Sequence, residues 1–212
     1  MFQAGDPIGS LIVTNLSRPG VNVTGLGGFG PGMHGKMLEL LKEAVPAAKS
    51  FGVVWNPAFA LHTAYVAEID VTARARGVAL KPFEVGTPAD VEPAFAAIAS
   101  ARANALIVLA QPLVFVQRLR IARLAAEHCV PTIYVWREMA EAGGLMSYGS
   151  DINDGARRAA RFVDKSLNGA KPRDLPVEQP TRFYFVINLR TVKLLGLVLP
   201  PSLLLRADEV IE

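Results

Sequence analysis

Two kinds of segment alternate along most of the chain. Short apolar or β-branched runs bounded by Pro, Gly or Asn occur at Phe51–Trp55, Leu80–Val85, Ala105–Ala110, Thr132–Trp136 and Leu145–Tyr148. They are mostly continuous rather than alternating, which is the pattern of strands covered on both faces. Between them lie longer stretches whose apolar residues recur at helical spacing: Gly35–Ala44, Ala60–Arg76, Val91–Ala101, Val114–His128 and Arg137–Ala142. Strands threaded through alternating helices need right-handed crossovers, hence a parallel sheet with helices on both faces. A doubly wound α/β lobe is predicted from residue 51 to about 148.

The pattern then changes. A polar turn, Gly149 to Asp154, caps a predicted helix over Gly155–Leu167 that stops at Asn168-Gly169. A proline-rich extended stretch follows over Ala170–Thr181, then a strand over Phe183–Ile187, a short helix over Leu189–Leu195 and a tail from Pro200 to Glu212. At the other end, Phe2–Ala4 reads as the end of a strand, Gly9–Leu16 as a helix and Gly20–Gly32 as a glycine-rich segment. One truncated β-α piece cannot cover its own apolar faces, so something upstream of this segment is expected to be missing.

Hydrophobic residues make up 51% and charged residues 19% of the 212, which places the chain among globular proteins rather than disordered ones. The net charge of +3 comes from interspersed cations and anions, so nucleic acid is not an expected partner. The densest basic stretch, Arg157, Arg158, Arg161 and Lys165, has helical spacing and no interleaved aromatics, and reads as a solvated helix face. Cys129 is the sole cysteine and lies in an apolar context, where a buried small hydrophobe is expected. The three histidines show no metal-ligand spacing, there is no Gly-x-Ser-x-Gly, and Gly25–Gly32 follows no long apolar strand. No cofactor, metal or catalytic residue is predicted, and an enzyme is not expected. No apolar run approaches the roughly 18 residues of a membrane span, and Met1–Pro7 has neither the basic nor the apolar part of a signal peptide.

In an open parallel sheet, ligands bind beyond the carboxyl ends of the strands. Those positions hold Asn56 with His62 and Thr63 after the first strand, Gln111 after the third, Trp136 with Arg137 and Glu138 after the fourth, and Tyr148 and Asp151 after the fifth. Asn and Gln supply neutral donors and acceptors, Trp and Tyr an apolar wall, and Arg137 a partner for a carboxylate. The set suits the holding of a small polar solute. Asn56, His62, Thr63, Gln111, Trp136, Tyr148 and Asp151 are the candidate ligand-binding residues. Each also has a structural reading: Asn56-Pro57 as a turn, Trp136 as core, and Arg137-Glu138 as the start of a solvated helix.

Several stretches resemble, in order, the ABC transporter substrate-binding proteins related to tryptophan- and tyrosine-binding proteins. They are Gly5–Ser10, Arg18–Gly20 with Asn22–Gly25, Leu38–Pro46, Val53–Pro57, Ala142–Gly149, Leu175–Thr181, Ile187–Leu189 and Leu197–Leu204. The resemblance implies a periplasmic-binding-protein-like type I fold, with two Rossmann-like lobes joined by three crossings near residues 20–26, 149–153 and 170–182. Residues 1–25 would end an incomplete first lobe, 26–149 form the complete second lobe, 150–170 give a first-lobe helix, and 171–212 cross and return to lobe two. It implies a solute-binding component of an ABC importer, partnered by the permease subunits, extracytoplasmic, and meeting the membrane only through the permease. The segment would start inside the last strand of the first lobe, and weaker solute binding than in a longer relative, by more than about 3 kcal/mol, is expected of it. Gln111, where relatives often carry an acidic residue, and His62, where a small polar residue is common, leave the solute open. The effector-binding core of a LacI-type regulator shares this fold and is the alternative; an α/β enzyme is a third.

Overall fold

The computed structural model describes residues 1, 4–30 and 32–212. The strand end expected at Phe2–Ala4 lies, for Phe2 and Gln3, outside the described residues, and so does Pro31 of the glycine-rich segment. The chain forms two compact units, Met1–Pro31 with Ser150–Phe183 and Gly32–Gly149 with Tyr184–Glu212, so it passes from one to the other three times.

The smaller unit is built on a short parallel pairing of β1 (Gly25–Leu26) with β7 (Val177–Glu178), extended by a bridge between Ala4 and Gly27. Thr24 reinforces it, its hydroxyl 3.0 and 3.1 Å from the Leu175 and Pro176 carbonyls. Helix α7 (Ile152–Leu167) buries Phe162 and ties itself to β7 through an ion pair between Arg158 and Glu178. Gly9–Leu16 is not a helix. The Asp6 carboxylate takes the Ile8 N–H in a local turn, the Pro7 carbonyl takes both the Ile12 and Val13 N–H groups, and Leu11 sits at φ 56°, which an L-residue helix cannot continue through.

The larger unit carries the doubly wound sheet. Helix α1 (Met33–Ala44) leads into β2 (Ser50–Trp55), then α2 (Ala60–Ala75), β3 (Ala79–Glu84), α3 (Val91–Ser100) and β4 (Ala105–Val108). The expected helix over Val114–His128 is two, α4 (Pro112–Val116) and α5 (Arg118–Glu127), broken at Gln117. Strand β5 (Thr132–Tyr134), α6 (Arg137–Glu141) and β6 (Met146–Gly149) follow; after the excursion through the smaller unit come β8 (Tyr184–Asn188), α8 (Leu189–Leu194), α9 (Pro201–Leu205) and β9 (Glu209–Ile211).

The strand order is β3-β2-β4-β5-β6-β8-β9. The first five strands are mutually parallel, as predicted; β8 runs antiparallel to β6, and β9 runs parallel to β8. Burial follows position in the sheet. All four residues of central β4 are buried, whereas β3 exposes Ala79, Lys81, Pro82 and Glu84 at the edge, where a proline costs no ladder hydrogen bond. Gly52 lets β2 and its neighbours approach: a Cβ there would stand 2.8 Å from Leu106 Cδ1 and 3.0 Å from the Phe83 ring. The core on one side of the sheet gathers Val54, Phe95, Ile98, Leu106, Val108 and Ile121. Cys129 differs from expectation: it is exposed, at φ 50° in the turn after α5, where chain reversal takes precedence over burial of the thiol.

Candidate functional site

The strand order reverses between β2 and β4. From β2 the chain crosses outward to β3, then returns to place β4 on the opposite side of β2. The two crossover loops therefore diverge beyond the carboxyl ends of β2 and β4, the position where open α/β sheets bind ligands. Asn56 and Gln111 are the residues that leave those two ends.

They meet there. Asn56 Nδ2 donates to Gln111 Oε1 at 3.0 Å, and Gln111 Nε2 donates to the Val85 carbonyl at 3.1 Å, which draws in the end of β3. Asn56 Oδ1 accepts the Ala58 N–H at 2.9 Å, so the Asn-Pro dipeptide is also a turn. His62, in the first turn of α2, accepts the Asn56 backbone N–H at Nδ1, 3.0 Å away, and its Nε2 lies 3.1 Å from the Ala110 carbonyl. Only one tautomer satisfies both contacts: Nδ1 bare, Nε2 carrying the proton. Asn56, His62 and Gln111 are 5%, 3% and 2% exposed, and burial holds the His62 pKa below its ordinary value, opposed by the Ala110 carbonyl and aided by nearby His34. Each amide nitrogen retains one hydrogen beyond those used within the network.

The other predicted residues are placed differently. Thr63 is exposed on the first turn of α2. Trp136, half-buried at the start of α6, stacks edge-on against Phe115 with ring centres 5.5 Å apart, and its indole N–H is buried with no acceptor. Tyr148, on β6, sets its ring edge-on to Phe185 at 6.5 Å, and partial burial together with Asp208 raises its pKa. Asp151 belongs to the smaller unit, where its Oδ1 caps α7 by accepting the Asn153 and Asp154 N–H groups at 2.6 and 3.0 Å. Arg137 pairs within the larger unit, its guanidinium meeting Glu141 at 2.8 Å and Glu209 at 2.9 Å.

Glu138, named beside Arg137 after the fourth strand, lies in the first turn of α6 with Oε2 buried without a donor. One further feature escapes a reading of strand ends alone. The loop after β3 is fixed by a reciprocal cap in which Asp90 accepts from Gly86, Thr87 N and Thr87 Oγ1, and a hollow of about 430 Å³ opens beside it, lined by Asn56, Pro57, Glu84, Gly86 and Asp90. The Thr87-x-x-Asp90 spacing signals that cap in the sequence. Among the described residues no group of three His, Cys, Asp or Glu is arranged to hold a metal, and no helix is long and apolar enough to cross a membrane.

Known proteins share this architecture. A tyrosine-binding protein of Clostridioides difficile (strain R20291) is 24% identical over 197 residues, which are 93% of this chain but 56% of the relative, so the chain spans little more than half that protein's length. The crystal structure of a conserved domain protein from Vibrio cholerae O1 biovar El Tor superposes with a TM-score of 0.91 at 29% identity, covering 99% of this chain and 70% of the other. An ABC domain from Streptococcus pneumonia in complex with L-Trp does so with a TM-score of 0.90 at 27% identity and the same coverage. The fold is that of the type I periplasmic binding proteins. The model of the family described as ABC transporter substrate binding protein matches residues 1–211, and the chain belongs to that family.

Proposed function

We propose that this chain captures a small amino-acid-like solute for an ABC importer, outside the cytoplasm, and passes it unaltered to the permease subunits. The observation that carries this reading is the buried Asn56–Gln111 pair at the switch between β2 and β4, because it offers directed, neutral hydrogen bonds without an activated nucleophile beside them. In this reading the spare amide hydrogens of Asn56 and Gln111 meet an oxygen of the solute, Thr63 adds a hydroxyl, and Trp136 and Tyr148 supply apolar wall. His62 acts behind them by fixing the Asn56 turn. Asp151, in the smaller unit, stays a separate candidate contact there through Oδ2, the carboxylate oxygen not used in the helix cap. The printed ligands of the relatives, tyrosine and L-Trp, direct the first trials to aromatic amino acids. Family membership favours a solute carrier over the effector-sensing core of a repressor.

The test is an NMR titration of the 212-residue chain with L-tyrosine, L-tryptophan and then the other L-amino acids, each taken to its solubility limit or to millimolar concentration. Saturable shifts of the Asn56 and Gln111 side-chain amides and the Trp136 indole N–H are expected, with at least tenfold weaker binding in Gln111→Leu. Shifts confined to other surfaces, or none with any amino acid, would sink the assignment.

A further inference from the structure

The imidazole of His62 is held in a way that tolerates one protonation state. A backbone N–H can only donate, so the 3.0 Å contact from Asn56 N to Nδ1 exists only while Nδ1 keeps its lone pair. A proton arriving at Nδ1 would set two N–H groups against each other inside a site where His62 is 3% exposed. Its surroundings offer no compensation. On its own helix the ring faces Tyr65, with centroids 6.1 Å apart; from the loop after β2 it meets the Phe59 ring at 5.4 Å; from the end of β4 comes the Ala110 carbonyl, already bonded to Nε2. The titratable group reaching it from α1 is His34, whose electrostatic effect on His62 opposes the imidazolium form and which stands 3.9 Å from Glu68. Glu68 is thereby directed to His34 and to the Gly35 N–H, 2.9 Å away, rather than to His62.

Loss of that bond would spread. The Asn56 backbone turn positions the side chain that bonds Gln111, and Gln111 in turn holds the end of β3 through the Val85 carbonyl. We propose that His62 is a proton-sensitive positioning residue: neutral, it holds the Asn56–Gln111 wall in its solute-ready form, and protonation at Nδ1 releases the wall and with it the solute. This rests on the solute site assigned above. The step is a simple proton uptake from solvent, with no bond other than N–H formed.

Two readouts separate this inference from the site assignment. In the first, without any solute, the ring nitrogens of His62 and the backbone amide of Asn56 are followed by NMR between about pH 8 and about pH 5. The Nε2–H tautomer is expected at the upper end. Exchange of the Asn56 amide should then accelerate at least tenfold beyond its intrinsic pH dependence, with the same midpoint as ring protonation. In His62→Asn, whose amide oxygen can accept the Asn56 N–H at every pH, that midpoint should vanish. An Nδ1–H tautomer, or protonation that leaves the Asn56 amide undisturbed, overturns the proposal, and this wild-type measurement stands whether or not the variant folds. In the second, L-tyrosine and L-tryptophan serve as probes. Affinity for a bound probe should fall at least tenfold over the same range in wild type and stay flat in His62→Asn; equal falls in both overturn it. Absence of probe binding at about pH 8 counts against the solute assignment and leaves the first readout to decide the role of His62.

Discussion

Gln111→Glu changes one atom of the wall and inverts one interaction. Oε1 can still accept from Asn56 Nδ2, but the nitrogen that donates to the Val85 carbonyl at 3.1 Å becomes a carboxylate oxygen facing another oxygen. Removing a buried hydrogen bond and leaving its acceptor unsatisfied costs about 1–3 kcal/mol, and a charge in a position only 2% exposed adds to it, so a loss of about 3 kcal/mol is expected near pH 8. For a chain of this size that is a fall in Tm of roughly 6–12 °C. The penalty carries a signature that a mere packing defect lacks. The introduced carboxyl ionises near pH 4.3 in the unfolded chain and at a raised value in the folded one, where it can donate to Val85 only while protonated. The destabilisation should therefore be small below about pH 4.3, grow by about 1.4 kcal/mol per pH unit until the folded pKa is passed, and level off above it. Urea unfolding followed by tryptophan fluorescence reads the right part of the molecule, because both tryptophans, Trp55 and Trp136, lie in the larger unit. Comparison with wild type at each pH isolates the introduced group. A pH-independent difference, or no difference, would refute the directed Gln111–Val85 bond.

Three further outcomes follow from the same structure. Asn188→Ala removes a side chain 3% exposed that caps α8 by accepting the Arg190 and Thr191 N–H groups and donates to the Ala140 carbonyl at 2.8 Å; a loss of about 2–4 kcal/mol is expected, measured by the same urea unfolding. Asp151→Ala removes the cap of α7 and should cost about 1 kcal/mol, seen as faster amide exchange at Asn153 and Asp154 with Trp55 and Trp136 fluorescence unchanged. The wild-type stability should itself depend on pH through His62. Its folded pKa lies below the unfolded value of 6.5, so the unfolded chain takes up the proton first; the contribution is complete above about pH 6.5 and is lost as pH falls through the depressed folded value. Unfolding free energies of wild type and His62→Asn across that window check it, since parallel curves would contradict a buried neutral imidazole.

The five parallel strands were legible because each is a short apolar run set off by turn residues, and because doubly wound sheets bury such runs on both faces. The antiparallel seat of β8 and the pairing of β9 were not legible, since Phe185–Asn188 looks the same in either direction and Glu209–Ile211 is too short to show a period. Gly9–Leu16 misled because helical spacing carries no information about the Asp6 turn or the positive φ of Leu11. At the candidate site, the topology made Asn56, Gln111 and Trp136 visible as polar or aromatic residues at strand ends. That Asn56, His62 and Gln111 would satisfy one another could not be read off, because the contact joins residues as many as 55 positions apart through three loops. The pairing of Arg137 was hidden for a related reason: its partner Glu209 lies on β9, which the pattern did not reveal.

Gly149 and Tyr184 are register partners on β6 and β8, so the excursion through residues 150–183 leaves the sheet and rejoins it at one rung of the ladder. The remainder of that smaller unit, around β1, comes from the first residues of the chain, and Thr24 meets the Leu175 carbonyl across 151 positions of sequence. Closing so long a loop from an unfolded chain is costly, and the cost is set by the length still unstructured. Once the larger sheet has formed, most of that length is already folded. The connectivity therefore predicts an order of assembly: the larger unit, made from near neighbours in sequence, is expected to form first, and the smaller one to condense last and show the lower amide-exchange protection.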